Sequence, residues 1–354
     1  MKTIRKINLA VIFGGQSGEH EVSLRSANQV MKALDKKRYE IIPIAITKAG
    51  HWLAGEAGKD YLENNLEKAA QENGVNEAYV PENRSKFPEN FPPIDLVLPI
   101  MHGSFGEDGK LQGVFEMLGW PYVFSGTLAS ALAMNKPKTK LIAKAAGLKI
   151  AKSVVVARNK KYNLDKIIVK LGFPLVIKLA ELGSSVGTSL ANSPKEASEG
   201  IETALRYGQE VLLEQFIRGR ELTVAVLGDQ SPKALPVIEI IPKISGWFDY
   251  RAKYEAGGSQ EICPAEIPED VRRKVQKYAV KIFKALGCLD LARADFIWSS
   301  ADKRLYFLEI NTIPGMTATS LVPQAAKAAG IEFPALLDKL IDSALRRCGK
   351  KKRN

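Results

Sequence analysis

The chain has 354 residues, of which 45% are hydrophobic and 25% charged, with a formal net charge of +12. That length allows two or three domains with separate cores, the balance is that of a water-soluble globular protein, and no apolar run approaches the roughly 20 residues of a membrane span. Six basic residues (Arg346, Arg347, Lys350, Lys351, Lys352 and Arg353) crowd the last nine positions and much of the remainder is scattered, with no RNP-like motif or zinc finger; this reads as a solvated basic tail at 348–354 and argues against nucleic acid as the partner.

The N-terminus is basic and then apolar, like the start of a secretory signal. Its apolar stretch is short, however, and runs into Gly14-Gly15 and acidic residues instead of a small-residue cleavage site. It reads as a first buried strand, Ile7–Phe13, of a cytoplasmic protein. A helical pattern over Ser23–Leu34, a strand at Tyr39–Ile46, a proline-rich loop around Pro81–Pro93 and a buried strand at Ile94–Ile100 give a βαβ rhythm, hence a mostly parallel sheet covered by helices. Thr127–Ala146 reads as helix, with Pro137 disturbing it or lying near a helix start.

The pattern then changes. Short strands at Ser153–Val156, Pro174–Leu179, Glu210–Phe216, Glu221–Val226 and Leu235–Ile241, with helices near Leu164–Leu171 and Pro194–Tyr207, imply antiparallel sheet. Lys243–Cys263 lacks a clear period and reads as a long loop of the kind that serves as a lid. A helix over Glu269–Leu286 precedes two β-like runs, Leu291–Trp298 and Leu305–Asn311, joined by a polar turn.

That last hairpin carries the densest chemistry. Residues i and i+2 of a strand share a face, so Arg293 and Asp295 lie on one side of the first run, and Glu309 and Asn311 on one side of the second. A turn centred near Asp302 places Asp295 opposite Glu309. Two carboxylates so close repel unless a cation lies between them, and with an amide oxygen they suit a hard ion such as Mg²⁺. A solvated face of an edge hairpin is the other reading. The three histidines and three cysteines (Cys263, Cys288, Cys348) have no metal-ligand spacing, which argues against zinc and for reduced structural thiols.

Elsewhere, Lys178 ends an apolar strand just before Glu181-Leu-Gly-Ser-Ser-Val-Gly187, a turn that offers a point charge and backbone N–H groups to phosphates without being a Walker motif. Lys136 and Lys253 are further lysines able to reach phosphate. Glu214 and Glu221 are acceptors for ribose hydroxyls and an adenine amino group, or simply exposed strand-end carboxylates. The Gly14–Leu24 turn sits between a strand and a helix, where open α/β sheets bind ligands. Glu19 in that turn can pair with an ammonium, and His102–Gly109 follows another strand end on the same side.

Taken together, GGQSGEHEVSL, HGSFGEDGKLQG, KLAELGSSVG, EQFIRGRELTVAVL, DYRAKY, LARADF and LEINTIPGMTATSLVP resemble, in this order and over nearly the whole chain, the D-alanine–D-alanine ligases of the ATP-grasp superfamily. Two positions depart from the family pattern: Leu179, where it usually has Pro, and Asn135, where many members have Asp.

The resemblance implies an α/β substrate-binding domain (1–126) followed by an ATP-grasp fold of two α+β subdomains (127–213 and 214–347). It implies ligation of two D-alanines through a D-alanyl phosphate, with D-lactate or D-serine as the alternative second substrate, and a homodimer. By resemblance, Asp295, Glu309 and Asn311 hold two Mg²⁺ or Mn²⁺ ions. Lys136, Lys178 and Lys253 contact the ATP phosphates, Glu181 and the Ser184-Ser185-Val186-Gly187 turn cover them, and Glu214 and Glu221 take the adenosine. Glu19 binds the ammonium of the first D-alanine, and His102 lies near its carboxylate. Arg293 and the N–H of Gly315 stabilise the oxyanion. Ser320 and the Leu321 backbone hold the second carboxylate. Ser184 and Tyr254 bond to Glu19 and close the site, Tyr254 also favouring an amine as second substrate.

Overall fold

A computed structural model describes residues 5–71, 91–181, 183, 188–243, 257–317 and 319–351. The first sheet joins β1 (Ile7–Gly14), β2 (Tyr39–Ile46), β3 (Trp52–Ala54) and β4 (Leu96–Ile100) in the order β3-β2-β1-β4, with β1 parallel to both β2 and β4. Strand β1 is apolar and fully buried from Leu9 to Phe13 because both faces are covered. Leu9, Val11 and Phe13 pack against α1 (His20–Ala33), while Ala10 and Ile12 share a cluster with Phe115 of α3 (Lys110–Leu118). Between β3 and β4 lies α2 (Glu56–Gln71), an element that, like β3 and α3, the sequence reading does not predict. The predicted loop around Pro81–Pro93 falls mostly outside the described residues.

The stretch read as one helix from Thr127 is two: α4 (Thr127–Met134) and α5 (Lys136–Ala145). Pro137 lies in the first turn of α5, where its missing N–H costs nothing, and Asn135 caps the helix by accepting from the Lys138 N–H at 3.0 Å. After the short β5 (Lys149–Ile150) comes an antiparallel sheet of β6 (Ser153–Ala157), β7 (Leu175–Leu179), β8 (Ser189–Ala191) and β9 (Glu210–Gln215), ordered β6-β9-β7-β8. Its alternation is clean. Leu175, Ile177, Leu179, Val211 and Leu213 bury against α6 (Leu164–Leu171) and α7 (Pro194–Tyr207), which leaves Lys178 and Glu214 on the opposite face.

The third sheet contains β10 (Gly219–Leu227), β12 (Ile238–Pro242), β13 (Ser259–Ile262), β14 (Leu291–Ser299) and β15 (Leu305–Asn311), in the order β13-β12-β10-β14-β15-β5. A short β11 (Lys233–Ala234) pairs with β10. Strand β13 corrects the reading of Lys243–Cys263 as continuous loop: Glu239 pairs with Ile262 and Pro242 with Ser259, so its last residues complete a sheet edge. One face of the sheet is closed by α8 (Glu269–Leu286), whose Val275, Ala279, Ile282 and Phe283 are fully buried against Leu222, Val224, Ala294 and Phe296.

Two last helices, α9 (Leu321–Ala328) and α10 (Phe333–Lys351), return the chain to the first sheet. Leu336, Leu337, Leu340 and Ile341 of α10 join the core made by β1, β4 and α1. Asp338 accepts from the Tyr39 hydroxyl at 2.6 Å and pairs with Arg38 at 3.0 Å. The cluster of C-terminal basic residues is therefore not all solvated tail. Arg347 forms an ion pair with Asp290, a fully buried carboxylate, and donates to the Tyr122 carbonyl at 3.2 Å.

Candidate active site

A β-bulge decides what the third sheet offers. Phe296 pairs with Phe307, but Asp295 pairs with Glu309, so Leu308 is one residue extra on β15. If Leu308 were instead paired in a regular ladder, strict alternation would put Glu309 on the same side as Leu305 and Phe307, facing α8. With the bulge, Glu309 and Asn311 join Arg293 and Asp295 on the open face, and Asp295 stands opposite Glu309 as expected.

Arg293 and Asp295 form a two-point pair, Nε to Oδ1 at 3.0 Å and Nη2 to Oδ2 at 2.8 Å. Asp295 also accepts from the Thr223 hydroxyl at 2.5 Å. Burial alone would lower the Arg293 pKa, but the charges of Asp295, Glu309 and Glu107 outweigh it and raise it, so the guanidinium stays charged. Two of its five N–H groups serve Asp295, leaving three for the cleft.

The same oxygens bear on a divalent ion. Two facing carboxylates and an amide are hard oxygen donors of the kind Mg²⁺ or Mn²⁺ takes. Asp295 Oδ1 already accepts twice, from Arg293 and Thr223, so Oδ2 keeps the lone pair open to a cation. Asn311 Oδ1 accepts from the Ile313 N–H at 2.9 Å and keeps its second lone pair. The donor set fits such an ion.

Across the cleft, α5 supplies cations. Lys136 Nζ lies 4.0 Å from Glu309, and its N–H donates to the Ala180 carbonyl at 2.9 Å. One turn on, Lys140 is buried against Glu214 at 2.8 Å, with Lys178 on the other Glu214 oxygen at 3.3 Å. Burial alone would raise the Glu214 pKa; Lys140 and Lys178 reverse this and hold the carboxylate below its ordinary range. Burial dominates at Lys140 and lowers its pKa, while at Lys178 the nearby carboxylates prevail and raise it. Glu214 is thus no exposed strand-end acid: both oxygens already face an ammonium.

The first sheet contributes from the C-terminal ends of β1 and β4. The Glu19 N–H donates to the Ser17 hydroxyl at 3.2 Å, and that hydroxyl donates to the His102 carbonyl at 2.8 Å, which links the two loops. A Cβ on Gly103, which has φ +73°, would meet Glu19 Oε2 at 2.8 Å, and one on Gly183 would meet it at 3.4 Å. Both glycines therefore let backbone approach the carboxylate.

His102, expected near a substrate carboxylate, lines the cleft and is held from within the protein. Its Nδ1 lies 3.1 Å from the Ile313 carbonyl and its Nε2 3.3 Å from the Ser26 hydroxyl, so both ring nitrogens are engaged within the protein. Burial lowers its pKa and keeps the ring neutral. Glu107, four residues after Gly103 and overlooked in the sequence reading, accepts from the Gly103 N–H at 2.7 Å. Burial and then the Glu19 charge push its pKa well up. The signal lies in His102-Gly-Ser-Phe-Gly-Glu-Asp-Gly109, where the sequence reading assigns a role to the histidine alone.

Glu19, His102, Lys136, Arg293, Glu309, Asn311, Gly315, Ser320 and Leu321 line one cavity of about 640 Å³. Ser320 precedes α9, and its hydroxyl accepts from the Thr317 N–H at 3.0 Å; a Cβ on Gly315 would lie 2.8 Å from that oxygen. Glu181 instead borders a neighbouring cavity, where it accepts from Asn135 Nδ2 at 2.7 Å. Glu221 lies on the site side of β10, two residues before Thr223, and its charge reaches Lys178. Ser184, Ser185, Val186, Gly187, Lys253 and Tyr254 lie outside the described residues.

Two facing sheets, one bearing lysines and the other bearing carboxylates and an arginine, with an α/β domain closing the third side, define an ATP-grasp enzyme. Family models described as the D-ala D-ala ligase N-terminus and C-terminus match residues 8–125 and 142–342. A D-alanine–D-alanine ligase of Syntrophobacter fumaroxidans is 42% identical over 96% of this chain and 98% of its own. Among solved structures, the VanG D-Ala:D-Ser ligase of Enterococcus faecalis superposes with a TM-score of 0.80 at 35% identity, covering 96% of this chain and 100% of that one. The Bacillus anthracis D-alanine–D-alanine ligase complexed with ATP gives 0.75 at 32% identity, covering 98% and 100%. The chain belongs to the D-alanine–D-alanine ligase family.

Proposed function

We propose that this protein joins two D-alanines into D-alanyl-D-alanine for peptidoglycan precursor synthesis, using ATP and releasing ADP and phosphate through a D-alanyl phosphate. The observation that carries this is the convergence of Glu19, Lys136, Arg293 and Glu309 on one cavity from the first sheet's β1–α1 loop, helix α5 and the third sheet. Glu19 receives the ammonium of the first D-alanine and presents its carboxylate to the γ-phosphate. Lys136 and Lys178, with Lys253, hold the phosphates; Glu181 and the Ser184–Gly187 turn cover them, and Glu214 and Glu221 bind the adenosine. Asp295, Glu309 and Asn311 would hold Mg²⁺ or Mn²⁺, which supplies charge neutralisation of the triphosphate.

The second D-alanine is held by Ser320 and the N–H groups that open α9 at Leu321, a helix start being suited to a carboxylate. Its amine attacks the acyl phosphate carbonyl, and the three free N–H groups of Arg293 with the Gly315 N–H take up the developing oxyanion. Ser184 and Tyr254 close over Glu19 and exclude water, which would hydrolyse the intermediate. His102, with both nitrogens engaged, fixes the Gly103 loop against Ile313 and acts on the first substrate through that loop.

The three sheets support a division near 1–126, 127–213 and 214–347, although the 213/214 boundary falls within β9 and β5 pairs with β15 of the third sheet; α10 also serves the first. Exposed Met117, Leu118, Leu128 and Leu141 on α3 to α5 support a homodimer, and the substrates place the enzyme in the cytoplasm. Among the described residues, no helix is long and apolar enough to cross a membrane. The test is phosphate release with ATP, Mg²⁺ and D-alanine, repeated with D-serine or D-lactate as second substrate. D-alanyl-D-alanine as the main product is expected; no D-alanine-dependent release sinks the reading, and preference for another acceptor moves it to a sister ligase.

A further inference from the structure

Helix α5 carries Lys136 and Lys140 one turn apart on the face toward the cleft. Lys136 reaches Glu309, whereas Lys140 is buried to 3% side-chain exposure and touches two elements at once. Its Nζ is 2.8 Å from Glu214 Oε1 on β9 and 3.5 Å from the Phe307 carbonyl on β15. Phe307 is the residue just before the extra Leu308 that turns Glu309 into the site. Lys140 thus spans the gap between the sheet bearing the adenosine-side carboxylate and the strand bearing the phosphate-side one.

We propose that Lys140 is a positioning residue for the nucleotide, holding Glu214 in the orientation that accepts from the adenine amino group while tying it to β15. This rests on the reading of Glu214 as an adenosine ligand. Lys178, at 17% side-chain exposure, sits on the cleft side of the same carboxylate, and Lys140 sits behind it. With both present, Glu214 is fixed from two directions and the group of three keeps one net positive charge for the phosphates. With Lys140 gone, Lys178 is the carboxylate's remaining lysine partner, so Glu214 can rotate toward it and the net charge falls to zero.

The experiment compares binding of MgADP and MgIDP, which lacks the 6-amino donor, to the intact enzyme and to Lys140→Met, without D-alanine. The parent is expected to prefer ADP. The variant is expected to bind ADP about tenfold more weakly, the scale of one charge-assisted hydrogen bond, with its ADP-to-IDP preference reduced toward one and its KM for D-alanine within about twofold of the parent. A folded variant with the parental preference overturns the proposal, because a merely structural lysine weakens both nucleotides alike. Where Lys140→Met does not fold, Glu214→Gln is compared with Lys140→Met/Glu214→Gln, which removes both charges of the pair. Equal ADP affinity supports action through Glu214, and a further tenfold loss overturns it. A parent that binds neither nucleotide overturns the reading of Glu214 as well, which separates the two failures.

Discussion

Replacing Arg293 by alanine removes two things at once, and the structure lets them be separated. The first is the set of three N–H groups left over from the pair with Asp295. Loss of one oxyanion donor costs about 10²–10³ in turnover, or roughly 3–4 kcal/mol of transition-state stabilisation. The second is the partner of a buried carboxylate: Asp295, at 8% side-chain exposure, would keep only the Thr223 hydroxyl. Breaking a buried pair from one side costs on the order of 3–5 kcal/mol, and the cleft beside Arg293 admits water, which favours the lower end. For a chain of this length roughly 3 kcal/mol corresponds to a melting shift of about 4 °C. The assay follows ADP and dipeptide separately, with thermal unfolding in parallel. Dipeptide formation is expected to fall by at least 10² while the protein still melts cooperatively a few degrees lower. Dipeptide formation within threefold of the parent in a folded Arg293→Ala would refute the placement of the oxyanion at this guanidinium. Asp295→Asn is the control, since it keeps the donors but loosens their aim.

Three further outcomes follow from the same coordinates. Glu107 has a native pKa raised above its unfolded value of about 4.3, so its contribution is fully present below that value and is lost as pH rises through the native one; Glu107→Gln, which keeps an acceptor for the Gly103 N–H, is expected to raise the melting temperature at pH 8 more than at pH 5, and equal shifts would contradict the assignment. Arg347→Ala strands the fully buried Asp290 and is expected to destabilise by about 3 kcal/mol, whereas deleting 352–354 changes melting by less than a degree; similar effects of the two would restore the solvated-tail reading. Deleting Leu308 removes the bulge but leaves Glu309 next to Phe307 in strict alternation, still opposite Asp295 on the open face, so D-alanine-dependent ADP release should survive, and its loss in a folded variant would show that the bulged backbone itself is needed.

Much of this was legible because strand chemistry is local. Arg293, Asp295, Glu309 and Asn311 stand at i and i+2 in short apolar runs, and a polar residue in such a run is visible without any tertiary knowledge. The register was less secure than it looked. Trp298 pairs with Leu305 and Phe296 with Phe307, and continuing that ladder would oppose Asp295 to Leu308. The expected pairing with Glu309 holds only because the strand bulges. Lys140 was invisible for the opposite reason. It lies in Lys136-Pro-Lys-Thr-Lys-Leu-Ile-Ala-Lys144, where four lysines read as a solvated helix face, and only the packing of α5 between two sheets buries one of them. Arg347 is the same case at the C-terminus, and β13 the converse, since a four-residue edge strand has too few side chains to show a period.

The two departures from the family pattern find local compensation away from the reacting groups. Leu179 replaces a usual proline at the end of β7, where its side chain, 2% exposed, turns into the core shared with α7. There it lies so near Gly208 that a Cβ on that glycine would come within 2.7 Å of it, so the bulkier leucine is accommodated by a residue without a side chain. Asn135 replaces a usual aspartate at the cap of α5. A cap needs only an acceptor oxygen, which the amide retains toward the Lys138 N–H, and the amide adds a donor that an aspartate lacks. That donor meets Glu181 at 2.7 Å, whereas a carboxylate in its place would face another carboxylate. The amide therefore steadies Glu181 from the same helix that sends Lys136 and Lys140 into the cleft. The departure at Asn135 thus ties the residue two places beyond the end of β7 to the lysine-bearing helix.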